Sequence, residues 1–349
     1  MSESGTPSPQ AQASAIAQVD LFQYGRRRCS FADFLAWAEL VGRLESLVTH
    51  LRRTQRAVDS GMQVRQEHLQ QAADEFRYRN HLLTVNETEA WLAERALARD
   101  DLHHYLLRGF CHDPVDMAMS IDEWCDAVDD VYGELWAALH FSGNFDALLE
   151  EYLFRVAAQA LVPRGAGRKR SLSVDASPLT RILLEGRLDE ARRLEGSYRV
   201  YAEDVAGRES CERRLKSQRL QLRRLHYQAL SYANQDQAQE AWSCLQHDEE
   251  SPDQLAERTG VLLRTGKAFA EDLPPDVARV LQSTQPGETT DPLKLPGTEN
   301  YTVFRLVQKT EPKLNSSGVR RRLRRLLVAE KLSPEIERNL SWLPWAQEG

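Results

Sequence analysis

The stretch Leu220-Gln-Leu-Arg-Arg-Leu-His-Tyr-Gln-Ala-Leu230 decides how the chain is read. Before it, apolar residues recur every three or four positions. Within it they alternate with polar ones for several steps, the pattern of a strand. Downstream, Asp236 to Gln246 reads as a helix, and Ser251-Pro252-Asp253-Gln254 opens another with proline at its first position. Val261-Leu262-Leu263 is a brief apolar segment. Pro274-Pro275-Asp276 starts a helix ending near Ser283, and Gln285-Pro286-Gly287-Glu288 turns the chain. Thr289 to Leu295 and Tyr301 to Gln308 read as two further strands joined across Pro296-Gly297.

Upstream the pattern is helical. Val19 to Arg28 is a short extended stretch, after which Ser30 reads as an N-cap. Phe31, Phe34, Leu35, Ala38, Val41, Leu44, Leu47, Val48 and Leu51 then form the stripe of one long amphipathic helix. Asp59-Ser60-Gly61 breaks it. Further helices follow around Leu69 to Tyr78, after a Thr84/Glu87 capping box, and from Ala98 to Phe110. His112 to Glu151 holds eleven Asp or Glu and no Lys or Arg. Trp124, Val128, Val131, Leu135, Trp136 and Leu139 recur within it at helical spacing, which predicts a solvated acidic face on a packed helix. A helical hairpin around Ile182 to Leu188 leads into an Arg-rich helix running to about Gln221, and a basic helix spans Val319 to Lys331.

Over 349 residues the formal charge is −7, 42% of residues are hydrophobic and 28% are charged. That composition excludes wholesale disorder. The acidity argues against nucleic acid as the main partner. No apolar run approaches the ~18–20 residues needed to cross a bilayer, so no membrane partner is expected. Met1 to Gln18 is rich in Ser, Pro, Gln and Ala without a basic or continuous apolar region, and reads as a disordered leader. The five cysteines are odd in number and scattered, which suits reduced thiols in a cytoplasm. Cys111, His112, His103, His104 and Cys125 lack the tight spacing of a metal site, so no metal is expected.

Two stretches carry a family resemblance. The first runs from Val58-Asp-Ser-Gly-Met-Gln-Val-Arg through Phe76-Arg-Tyr-Arg-Asn-His-Leu-Leu-Thr and Thr88-Glu-Ala-Trp-Leu-Ala-Glu to Leu102-His-His-Tyr-Leu. The second joins Leu273-Pro-Pro-Asp-Val-Ala-Arg-Val-Leu to Gln285-Pro-Gly-Glu-Thr-Thr-Asp-Pro-Leu and Tyr301-Thr-Val-Phe-Arg-Leu-Val-Gln-Lys. Together they resemble the parvulin-type peptidyl-prolyl isomerases in a SurA-like chaperone arrangement. The resemblance implies an α+β fold: a predominantly helical SurA-like module plus a small parvulin-like domain with a short antiparallel sheet. With the leader (1–18) and a Gly-, Ser- and Arg-rich flexible linker (163–178) read from composition, it leaves a helical module (19–162) and connecting helices (179–219). A parvulin-like domain (220–312) and a C-terminal basic helix packing on the helical module (313–349) complete it.

In that family two strand histidines flank a Cys or Asp beneath an apolar proline pocket. Rotation about the X–Pro bond has a barrier of ~18–20 kcal/mol, lowered by holding a twisted amide in a dry site, with no cofactor or metal. The resemblance places His226 at the first histidine. Thr302, in Asn300-Tyr301-Thr302, stands where relatives often carry the second. The central Cys or Asp has no clear counterpart between Thr259 and Leu273. A degenerate isomerase domain that still binds peptide is therefore the leading expectation, with Phe269, Leu281, Tyr301, Thr302, Val303 and Phe304 lining a groove. The partner would be an extended or Pro-containing peptide, an unfolded client or a precursor peptide in peptide maturation. The alternatives are an active isomerase using His226 with Tyr301 or Thr302, and a non-catalytic scaffold in a biosynthetic complex.

Overall fold

The computed structural model describes residues 15–59, 61, 63–111, 119–128, 130–163, 177–247, 250–295 and 299–344. Most of the expected leader and linker, His112 and the Pro296-Gly297 connection lie outside these residues. The fold is α+β, predominantly helical, with two small antiparallel sheets. The chain forms two compact units. One comprises the described residues up to Asp204 together with those from Ala329 onward, and the other is Val205–Val328.

In the first unit, the stretch read simply as extended is a hairpin. Strands β1 (Asp20–Tyr24) and β2 (Arg27–Ser30) turn at Gly25, whose φ of +60° suits a residue without a Cβ. Strand β7 (Leu340–Trp342) pairs antiparallel on the other side of β1, giving the order β2-β1-β7. The tail read as helix alone thus ends in a strand. Ser30 caps α1 (Phe31–Leu40): its hydroxyl accepts the Asp33 N–H at 3.2 Å, and the Asp33 carboxylate accepts the Ser30 N–H at 3.3 Å. The single long helix expected through Leu51 is two. Gly42, at φ +69°, ends the first, and α2 begins only at Glu45 (Glu45–Asp59).

Helices α3 (Gln66–Arg79), α4 (Val85–Ala93), α5 (Arg99–Arg108), α6 (Ile121–Ala127), α7 (Val131–Phe141), α8 (Phe145–Leu161), α9 (Pro178–Leu184) and α10 (Leu188–Val205) follow. Thr84 and Glu87 form the expected capping box. In the acidic stretch Trp124, Leu135, Trp136 and Leu139 are buried while Asp122, Glu123 and Asp126 are exposed, as the helical spacing requires. The core is aromatic. Phe31 meets Trp136 edge-on at 4.8 Å, and Phe34 meets Phe145 and Tyr152 at 5.7 Å each. Such pairs contribute ~0.5–1.5 kcal/mol beyond the area they bury. Arg155 lies over the Trp37 ring at 4.9 Å and pairs with the buried Glu195 at 3.5 Å, so that neither charge is left alone in the interior.

The second unit runs α11 (Arg208–Ser217), β3 (Arg224–Tyr232), α12 (Gln235–Gln246), α13 (Pro252–Thr259), β4 (Arg264–Phe269), α14 (Pro275–Ser283), β5 (Leu293–Lys294) and β6 (Tyr301–Thr310). The first part of α15 (Ser317–Asn339) completes it. The long Arg-rich helix is interrupted: α10 stops at Val205, and Gly207 opens a separate α11 that ends at Ser217. The strand expected over Thr289 to Leu295 shrinks to two residues plus an isolated Thr289–Arg305 bridge, because Pro292 has no N–H for the ladder. Strand β4 occupies a segment that shows no strand pattern in the sequence.

The four strands pair antiparallel in the order β4-β3-β6-β5, which puts the first and last strands of the unit side by side at the centre. Each face carries its own core. Leu225, Ala229, Phe304 and Leu306 pack with Val277 and Leu281 of α14. Leu230, Tyr232 and Val303 pack with Ala238, Ala241 and Leu245 of α12 and with Leu255 of α13. A third cluster, Cys211, Leu222, Val319 and Leu323, joins α11 to α15.

Candidate functional site

Strand geometry sorts the expected site residues. Successive strand residues point to opposite faces, and residues directly opposed across a ladder share one. Thr302 lies opposite Ser231, Phe304 opposite Ala229 and Leu306 opposite Tyr227. One face of the central pair therefore holds Leu225, Tyr227, Ala229 and Ser231 of β3 with Thr302, Phe304 and Leu306 of β6. The other face holds His226, Gln228, Leu230 and Tyr232 with Tyr301, Val303 and Arg305.

His226 thus lies on the sheet face opposite to Thr302. The two are also five strand positions apart, about 17 Å at ~3.3 Å per residue. Tyr301 shares the His226 face but lies opposite Tyr232, six positions away, or about 20 Å. His226 sits instead between Lys267 of β4 and Gln308 of β6 and is half-buried. The expected pairing of His226 with Thr302 or Tyr301 is therefore corrected: no catalytic pair forms. On the Thr302 face neither central strand carries an imidazole. At that position stands a hydroxyl pair instead, Ser231 and Thr302 hydrogen-bonded to each other at 2.9 Å, with Thr302 only 1% exposed.

The expected peptide-binding residues are not brought together. Leu281 is fully buried on α14, in the same core as Phe304. Val303 and Tyr301 belong to the core on the other face, and Val303 is buried. Phe269 packs on the third cluster, with Arg224 at 5.5 Å and Arg322 at 4.8 Å from its ring centroid. Arg322 is anchored in turn by Glu271 and Asp272, with Nη1 donating to Asp272 Oδ2 at 2.9 Å. Apart from Thr302, these side chains fall into three separate packing clusters.

Other residues shape this unit without having stood out in the sequence. The Tyr227 ring lies across Gly266 of β4, where a Cβ would come within 2.5 Å of the ring, so Gly266 is required by a close approach. Tyr227 also meets Phe304 edge-on at 5.7 Å. A polar pocket of about 290 Å³ opens beside Tyr232, lined by Gln237, Glu240, Ala241, Leu255, Arg258, Thr259 and Val261. Arg258 is held there by Glu250 at 2.9 Å and Glu240 at 3.6 Å, and burial raises the Tyr232 phenol.

The histidine and cysteine cluster gathers no further. His103 and His104 lie 6.2 Å apart, ring to ring, on α5. Among the described residues no three His, Cys, Asp or Glu side chains converge as metal ligands do. Of the thiols, Cys29 is fully buried and its pKa is pushed up to about 11 by that burial, so it is no nucleophile at neutral pH.

No protein-family model and no curated protein matches the chain. Among solved structures it is similar to the peptidylprolyl isomerase PrsA of Bacillus anthracis, at 15% identity and a TM-score of 0.29, over 55% of this chain and 96% of that one. It is also similar to the foldase protein PrsA of Streptococcus pneumoniae, at 14% identity and a TM-score of 0.28, over 53% and 78% of the two chains. A SurA-like chaperone of Campylobacter jejuni aligns over 93% of this chain and 99% of its own, at 10% identity and a TM-score of 0.18. Likeness at these values assigns no activity to this chain.

Proposed function

We propose that the protein is a peptide-binding chaperone whose parvulin-like domain has lost isomerase chemistry. The observation that carries this reading is the four-stranded antiparallel sheet of order β4-β3-β6-β5, with Thr302 at the expected histidine position hydrogen-bonded to Ser231. The α+β arrangement is the one the resemblance implies, while the place of the second histidine is taken by Thr302, buried and hydrogen-bonded to the half-buried Ser231. Its clients are extended or unfolded chains, among them a precursor peptide in peptide maturation. Five cysteines, an odd number scattered along the chain, support a reducing, cytoplasmic setting.

Two measurements test it. Fluorescence anisotropy with a reduced and alkylated, permanently unfolded protein should saturate, and absence of saturation up to millimolar client rejects the chaperone reading. A protease-coupled assay on an Ala-Xaa-Pro-Phe peptide should show no acceleration. Acceleration abolished by the Ser231→Ala/Thr302→Val double variant would make the domain an isomerase.

A further inference from the structure

A surface that could hold a client exists in the first unit, outside the residues considered so far. A groove of about 470 Å³ runs between α8 and the end of the three-stranded sheet, lined by Asp146, Leu149, Glu150, Leu153, Trp342 and Leu343. Leu149 and Leu153 form its apolar floor. Trp342 is 57% exposed, held on one side by edge-on contact with Phe22 at 5.9 Å. Asp146 and Glu150 stand one helical turn apart on α8, both exposed, on the groove's wall.

The strand beside the groove has an open edge. Gly25 N–H donates to the Asn339 carbonyl, Leu343 N–H donates to the Leu21 carbonyl, and Gln23 lies opposite Ser341. In an antiparallel ladder the inward and outward groups alternate, so the Trp342 N–H and the Leu340 and Trp342 carbonyls point away from β1. Among the described residues no strand pairs on that side.

From these observations we infer that the groove binds an extended peptide that adds a strand to β7, seats an apolar side chain against Leu149, Leu153 and Trp342, and sets a basic side chain against Asp146 and Glu150. This inference rests on the reading of the protein as a peptide binder and specifies which clients it prefers. Backbone pairing supplies an affinity indifferent to sequence, the apolar floor selects alternate residues, and the two carboxylates select lysine or arginine beside them.

The test uses the full chain and a fluorescein-labelled nonapeptide of alternating valine and lysine, with a counterpart carrying glutamate in place of lysine. The lysine peptide should bind at least tenfold more tightly than the glutamate peptide, and raised salt should narrow the gap. Trp342→Ala should weaken the lysine peptide at least tenfold. Asp146→Asn with Glu150→Gln, both at exposed positions, should bring the two peptides within threefold of each other. Unchanged preference in that double variant overturns the inference, as does unchanged affinity in Trp342→Ala. A chain shortened after Pro344 should bind as the full chain does. A tenfold gain on shortening would make the chain's own residues 345–349 the occupant and overturn the inference. Unfolded client that binds the wild type and Trp342→Ala equally removes only this inference, whereas unfolded client that binds neither removes the proposed function.

Discussion

Acid should destabilise the first unit through one residue, His140. Its ring lies 4.1 Å from that of Phe145 and 4.6 Å from that of Trp136, and only 7% of the residue is exposed. Burial, reinforced by the Arg95 guanidinium, lowers its pKa from 6.5 to about 3. The folded imidazole therefore stays neutral where the unfolded one takes a proton. Between the two pKa values the unfolded state binds more protons, so stability is complete above pH 6.5 and falls as pH drops. At pH 5 the unfolded imidazole is almost wholly protonated and the folded one is not, which costs about 2 kcal/mol relative to pH 7. The figure hardly changes if the folded pKa lies a unit higher, because both values stay well below 5. The loss continues at ~1.4 kcal/mol per pH unit and levels off near the folded pKa.

Urea unfolding followed by tryptophan fluorescence measures this. Trp37, Trp91, Trp124, Trp136 and Trp342 all lie in the first unit and Trp242 alone in the second among the described tryptophans, so the signal reports the unit that contains His140. Acid acts on other groups too, among them Asp130, whose carboxyl pKa burial raises. The decisive quantity is therefore the difference between wild type and His140→Gln. The variant should be less stable at pH 7 yet lose about 2 kcal/mol less on going to pH 5. Equal losses in the two proteins would refute the reasoning.

Three further outcomes follow from the packing. Gly266→Ala should cost ~1–3 kcal/mol by driving a methyl group into the Tyr227 ring. Thermal unfolding should show that cost shrinking when Tyr227→Ala is added, and additive losses would argue against the contact. Thr302→Val should cost ~1–3 kcal/mol by stranding the Ser231 hydroxyl, whereas the Ser231→Ala/Thr302→Val pair should cost less than the two single changes summed. Thr84→Ala should lower stability by ~1 kcal/mol through loss of the α4 cap, measured by the urea midpoint at constant slope.

The fold was legible where local chemistry was strong. Ser30, Thr84 and Ser251 announce their helices, and the alternation in Arg224 to Leu230 and Tyr301 to Gln308 announces the central strands. Strand β4 was not legible, because Arg-Thr-Gly-Lys-Ala-Phe is an edge strand held by pairing and by the Tyr227 ring over Gly266, both non-local. The helix break at Gly42 escaped because the apolar spacing runs on across it. The site failed for a different reason. Both faces of β3 are buried, so Leu225 and Ala229 on one side and Leu230 and Tyr232 on the other give no sign of which face His226 takes. Only the register with β6 fixes that, and register between strands some 70 residues apart is not written in either strand alone.

The pairing of β1 with β7 also bears on how the molecule is made. A ribosome releases Asp20–Tyr24 early, yet the strand that covers its outer side emerges only with Leu340–Trp342. Residues Val205–Val328 are all available before then and can close their own sheet first. On that side Phe22, which Trp342 meets edge-on, stays uncovered until a strand about 320 residues further along the chain arrives, so this sheet closes only after the whole of the second unit has been made.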